Sequence, residues 1–170
     1  WENLSFEDLK QAVYDYTYQF MDALVSAGVT PKWVQVGNET DPGFLWEEGR
    51  LSSNNNFANM SNFVALYNKG YEAIKEKSPT TQVITHIANG NNTAFLTGFF
   101  DEFYAKGGKN DIIGVSYYPR WHGGTIQNVG SNLSFLASRF NKDVMICEIG
   151  ALETLPTLNY NMLLDAIDLL

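Results

Sequence analysis

Apolar side chains recur every three or four residues from Phe6 onward, at Leu9, Val13, Tyr16, Phe20 and Leu24. That period marks an amphipathic helix. Ser5-Phe6-Glu7-Asp8 resembles a capping box at its start, and Gly28 is a natural C-terminal stop. Pro31 keeps the next segment extended, and Trp33–Gly37 reads as a buried strand. A polar loop rich in Gly, Ser and Asn runs from Thr40 to about Asn59. A second helix, over Ser61–Lys77, carries Phe63, Leu66, Tyr67, Tyr71 and Ile74 on one face, and Ser78-Pro79 closes it.

The alternation then continues. "TQVITHIANG" is a strand ending at His86, and a helix follows from Thr93 to about Lys106, stopped by Gly107-Gly108. "DIIGVSYYP" is a strand, Thr125–Phe140 a helix with Ile126, Val129, Leu133 and Leu136 as its stripe, and "DVMICEIG" another strand. Asn159–Leu170 begins a further helix. Short, continuously apolar strands alternating with helices are the pattern of a parallel sheet buried on both faces. A doubly wound open sheet and a (β/α)₈ TIM barrel both have this element order. A nucleotide-binding open sheet should carry a Gly-rich turn after a strand, and neither G-x-G-x-x-G nor a Walker pattern occurs. Polar groups instead close every strand: Asn38 and Glu39, His86, Tyr117 and Tyr118, Glu148. Barrels place their active sites there. With about four strands, half the number a barrel needs, residues 1–170 read as a fragment of a single barrel domain.

Composition narrows the partners. With 45% apolar and 18% charged residues the chain is globular rather than disordered. A net charge of −8, with no Lys/Arg cluster, argues against nucleic acid or an anionic membrane as partner. No apolar run approaches a membrane span. Cys147 is the only cysteine, which excludes an internal disulfide and a multi-cysteine metal site. By strand alternation it should point away from Glu148 into the core.

Glu39 and Glu148 carry the chemistry. Each ends a strand, so in a barrel they face one another across the mouth. Glycoside hydrolysis needs one carboxylic acid to protonate the leaving oxygen and one carboxylate to attack the anomeric carbon. Asn38 is a neutral amide beside Glu39, able to donate to a sugar hydroxyl; His86 can bond substrate or acid. One of Tyr117 and Tyr118 should point inward, where a phenol would orient Glu148. Trp121 and His122, in the loop "PRWHGG", suit an aromatic platform for a sugar face, or Trp121 packs beneath the loop. No metal-ligand spacing links the histidines and acids.

These residues carry a resemblance. "WVQVGNE", "GFLWEEG" and "DIIGVSYYPRWHG" are similar to glycoside hydrolase family 53, the arabinogalactan endo-β-1,4-galactanases of clan A, and "WENLSFEDLKQAVYDYTYQFMDAL" resembles that family's helix before its fourth strand. The resemblance runs from Trp1 to about Gly150 and implies a (β/α)₈ barrel, here roughly its third helix through its seventh strand. It implies Glu39 as acid/base and Glu148 as nucleophile of a retaining hydrolase, with Asn38, His86, Tyr117, Tyr118, Trp121 and His122 contacting substrate. The two carboxyl groups should then lie about 5–5.5 Å apart. The implied partner is the polysaccharide β-1,4-galactan, with the rest of the barrel supplied by further chain and the enzyme placed outside the cytoplasm, secreted, periplasmic or at the cell surface. No cofactor and no metal is expected. Glu148 is followed by "IGALETLP", where the family usually has small residues and an aromatic, which bears on galactan preference. Another clan A β-glycanase, of mannanase or cellulase type, and a non-catalytic carbohydrate-binding remnant are the alternatives.

Overall fold

The helical period and the strand ends predicted above both materialise. A computed structural model describes residues 1–51, 57–151 and 156–167. Helix α1 spans Phe6–Ser26, strand β1 Trp33–Gln35, α2 Met60–Lys77, β2 Gln82–Ile87, α3 Thr93–Ala105 and β3 Ile112–Tyr117. A short α4, Pro119–His122, precedes α5, Ile126–Phe140, then β4, Asp143–Ile149, and α6, Pro156–Ile167. Hydroxyl and amide caps start three of these helices: Ser5, Asn92 and Thr125 each accept from the backbone N–H three residues on.

Two helices differ from expectation, and proline explains both. Pro119 and Pro156 have a φ already set for a first helical turn and no N–H to leave unpaired. "PRWH", expected as loop, is therefore one helical turn, with the Trp121 and His122 amides both donating to the Tyr118 carbonyl at 2.9 Å. Helix α6 begins at Pro156, earlier than expected; its expected end at Leu170 lies outside the described residues.

The four strands form one sheet in the order β1-β2-β3-β4, every neighbouring pair parallel. A doubly wound sheet reverses its strand order at a switch point, whereas a barrel winds on in one direction. This sheet winds in one direction: it is half of a (β/α)₈ barrel. Val83, Ile87, Ile113, Val115 and Tyr117 point to the helices and join the main core. At its centre Phe99, fully buried, meets the rings of Phe57, Phe63, Phe95, Phe100 and Phe103 at centroid distances between 5.2 and 6.2 Å.

Three burial expectations need correcting. Strand β1 reads as buried; among the described residues it pairs with β2 alone, and Trp33 is 46% exposed on the side that the rest of a barrel would cover. The α1 stripe is split for a related reason. Leu9 and Met21 are buried, while Tyr16 and Phe20, exposed, line with Val13, Val34 and Ile74 a cavity of about 720 Å³ beside that strand. Cys147 is the third case. Val115 pairs with Ile146, but Ser116 pairs with Glu148, so β4 carries an extra residue there. This bulge breaks the alternation. The Cys147 sulfur faces Gly114, where an added Cβ would lie 2.5 Å from it, on the face that Ser116 shares. Cys147 therefore points to the same side as Glu148 rather than away from it, and burial pushes its thiol up to about 11.

Candidate active site

The chain leaves β1 through two left-handed residues. Gly37 has φ +79°, and a Cβ there would stand 2.6 Å from the Thr40 methyl, so only glycine turns the chain so tightly. Glu39 follows at φ +44°, a conformation that costs an L-residue about 1–2 kcal/mol and persists only where the surroundings hold it. Here β2 holds it. The Thr40 amide and hydroxyl both donate to the His86 carbonyl, at 2.8 and 3.1 Å, and the Asp41 carboxylate accepts from the Ala88 amide at 2.8 Å. Burial pushes the Asp41 carboxyl up to about 6, opposed in part by backbone hydrogen bonds.

Glu148 reaches the same space from the other end of the sheet because the bulge at Cys147 turns it inward. The Tyr118 hydroxyl donates to Glu148 Oε2 at 2.7 Å. That bond raises the Tyr118 pKa, with burial as a lesser cause. Between the two acids lies a buried pair. The Ser116 hydroxyl donates to Glu39 Oε1 at 2.7 Å, and Ser116 Oγ lies 2.8 Å from His86 Nε2. Both Ser116 and His86 are fully buried. Burial lowers the His86 pKa, with the Glu148 and Glu39 charges opposing it.

One oxygen of each carboxylate and one ring nitrogen of His86 lie within 4.8 Å of one another. Linear spacing predicted no such grouping, since each residue comes from a different strand. Two carboxylates and an imidazole at this range suit either a small cation or acid–base chemistry. Ser116 already engages His86 and Glu39, and Tyr118 engages Glu148, which favours the acid–base use.

The other candidates spread outward. Asn38 is exposed and its side-chain oxygen accepts from Gln35 at 3.0 Å, so its amide N–H donors have no partner among the described residues. Tyr117 turns into the core, 2% exposed, with its hydroxyl on the Gly124 carbonyl at 3.1 Å; Tyr118 is the tyrosine that meets Glu148. His122 stands behind Tyr118, its Nδ1 accepting from the Tyr118 amide at 3.0 Å and its ring edge-on to the phenol at 5.8 Å. Trp121 is 71% exposed, with the Arg120 guanidinium 4.9 Å from its ring centre, and does not pack under the loop. Ser116 and Asp41 escaped the sequence reading. The signal for Ser116 was present: if Tyr117 faces the helices, its neighbour must face the acids.

A half-barrel with a carboxyl pair at the C-terminal ends of its strands defines a segment of a glycoside-hydrolase-type catalytic domain. Residues 1–162 match glycosyl hydrolase family 53, and the chain belongs to that family. It is 36% identical over 149 residues to the endo-beta-1,4-galactanase of Bacillus subtilis, covering 87% of this chain and 32% of that protein. It also resembles the Ignisphaera aggregans GH53 catalytic domain, with a TM-score of 0.79 and 32% identity over 88% of this chain and 39% of that one. A structure described as one of two fungal beta-1,4-galactanases gives a TM-score of 0.77 at 27% identity, over 85% of this chain and 44% of that one. The chain thus spans under half the length of these relatives. Among the described residues no helix is long and apolar enough to cross a membrane.

Proposed function

We propose that this segment supplies the acid/base and nucleophile of a retaining endo-β-1,4-galactanase. The observation that carries the reading is the closeness of the two carboxylates, an oxygen of each lying within 4.8 Å of the other. Inverting enzymes hold their carboxyl groups about 6.5–9.5 Å apart to admit a water between them, and retaining enzymes about 5–5.5 Å apart. In the proposed reaction Glu148, aligned by Tyr118, attacks the anomeric carbon. The bond to the leaving sugar breaks as Glu39 gives its proton to the departing oxygen, leaving a galactosyl-enzyme ester. Glu39, now a carboxylate, takes a proton from an incoming water whose oxygen attacks the anomeric carbon. The ester breaks, Glu148 is released as carboxylate, and both groups return to their starting states.

The substrate assignment rests on the relatives named as galactanases. Asn38, with unengaged amide donors, and Trp121, an exposed flat face, are the proposed sugar contacts near the acids. His122 holds the Tyr118 backbone. Tyr117 contributes by shaping the turn that presents α4. A polymeric substrate places the enzyme outside the cytoplasm.

The test is reducing-sugar release from β-1,4-galactan by the full-length protein and its Glu39→Gln and Glu148→Gln variants. Activity in the unsubstituted protein and loss in both variants is expected. A well-folded protein that ignores galactan but cuts mannan or a β-glucan would move the assignment elsewhere in clan A. Glycan binding without cleavage would make it a binding module.

A further inference from the structure

Ser116 has one hydroxyl proton and two polar neighbours, Glu39 Oε1 at 2.7 Å and His86 Nε2 at 2.8 Å, with Ser116 and His86 fully buried and Glu39 half-buried beside them. Only one distribution of protons satisfies both contacts while Glu39 is ionised. The hydroxyl must donate to the carboxylate, so it must accept from the ring, and His86 must carry its proton on Nε2. His86 Nδ1 agrees with this assignment, being buried with no hydrogen-bond partner among the described residues. A proton there would leave a donor orphaned, and a bare Nε2 would face a hydroxyl already committed to Glu39. The lowered His86 pKa keeps the ring in the neutral form that this chain of bonds needs.

From this arrangement we propose that Ser116 is a positioning residue for Glu39: backed by His86, it holds Oε1 permanently as an acceptor and leaves Oε2 as the oxygen that carries the catalytic proton. This rests on the reading of Glu39 as acid/base. No other hydrogen bond to the Glu39 carboxylate occurs among the described residues, so Oε2 is unengaged. When Glu39 is protonated on Oε2, the bond from Ser116 to Oε1 is unchanged. When that proton leaves for the departing sugar, the bond again stays in place. The relay therefore need not reorganise at either step, which is the condition under which a fixed donor assists a developing charge most. It also fixes the rotation of the carboxyl group, so the proton points one way.

The experiment compares kcat/KM for two substrates in the full-length protein and its Ser116→Ala and Ser116→Cys variants. Galactan has a sugar alkoxide leaving group and needs the acid. A dinitrophenyl β-galactobioside, whose leaving group departs without a proton, does not. Loss of the Ser116 bond should lower kcat/KM on galactan about 10- to 150-fold, the range for one hydrogen bond to a charged group. On the aryl substrate the change should stay within about threefold, because a positioning effect on the acid is silent there. Ser116→Cys has nearly the volume of serine and a far weaker donor, so it shows the same split if the alanine variant does not fold. Equal losses on both substrates overturn the proposal while leaving Glu39 as acid/base. Unchanged galactan activity in either folded variant overturns it as well. An unsubstituted protein inactive on both substrates would overturn the acid/base reading and this proposal with it.

Discussion

Replacing Gly114 by alanine should force β3 and β4 to shift, and the reason is the sulfur of Cys147. The new methyl would stand 2.5 Å from Sγ and 2.6 Å from a methyl of Ile84, where ordinary contact begins near 3.4 Å. Neither neighbour is the far end of a flexible side chain, so a shortfall of almost 1 Å on two sides falls on the strands. Overpacking of this kind costs about 1–3 kcal/mol. Cys147→Ala alone should cost about 1 kcal/mol, from one lost heavy-atom contact set. The double variant should cost less than the sum by about 0.5–1.5 kcal/mol, because removing Sγ opens one of the two crowded directions while Ile84 still blocks the other. Denaturant unfolding of the four full-length proteins measures all three terms. If the two substitutions add within about 0.3–0.5 kcal/mol, the sulfur does not face Gly114. The bulge assignment would then be wrong, and with it the account of how Glu148 turns inward.

Tyr118→Phe removes the hydrogen bond to Glu148 without changing ring volume, and kcat/KM on galactan should fall about 10- to 150-fold, the equivalent of 1.5–3 kcal/mol, with unfolding midpoints unmoved. Phe99→Ala empties the centre of the aromatic cluster and should destabilise by about 3–5 kcal/mol in denaturant unfolding. Asp41 supplies a pH test. Its folded pKa, about 6, lies above the ordinary 3.8, so the folded state binds the proton more tightly than the unfolded one. Its contribution to stability is therefore greatest below about pH 4 and falls as pH rises to 6, by up to about 3 kcal/mol. Unfolding free energies of Asp41→Asn should lack that part of the slope, and the same slope in both proteins would contradict the burial argument.

What the sequence disclosed follows from how local each cause is. The α1 period, the Ser5 and Thr125 caps and the stop at Gly28 depend on residues within one or two turns, and they read correctly. Glu39, Glu148 and His86 were legible as strand ends because element order alone places them on one side of the sheet. The exposure of Trp33 was not, because the residues that would cover that side of a barrel strand are not part of this half-barrel. The direction of Cys147 was not, because the bulge exists only in the pairing of β4 with Val115 and Ser116. The Tyr117–Tyr118 pair shows the intermediate case. Alternation guaranteed that one faces inward, but its phase is set by the register with β4, which no stretch of β3 contains.

Glu39 follows β1 in the chain, yet its turn hangs from β2 through the Thr40 bonds to the His86 carbonyl and the Asp41 bond to Ala88. The tether and the chain path therefore belong to different strands. The Thr40 amide, bonded to a fully buried residue, should exchange slowly. The position of the carboxylate is thus inherited from β2 and the residue after it, not from the strand that precedes it in the chain.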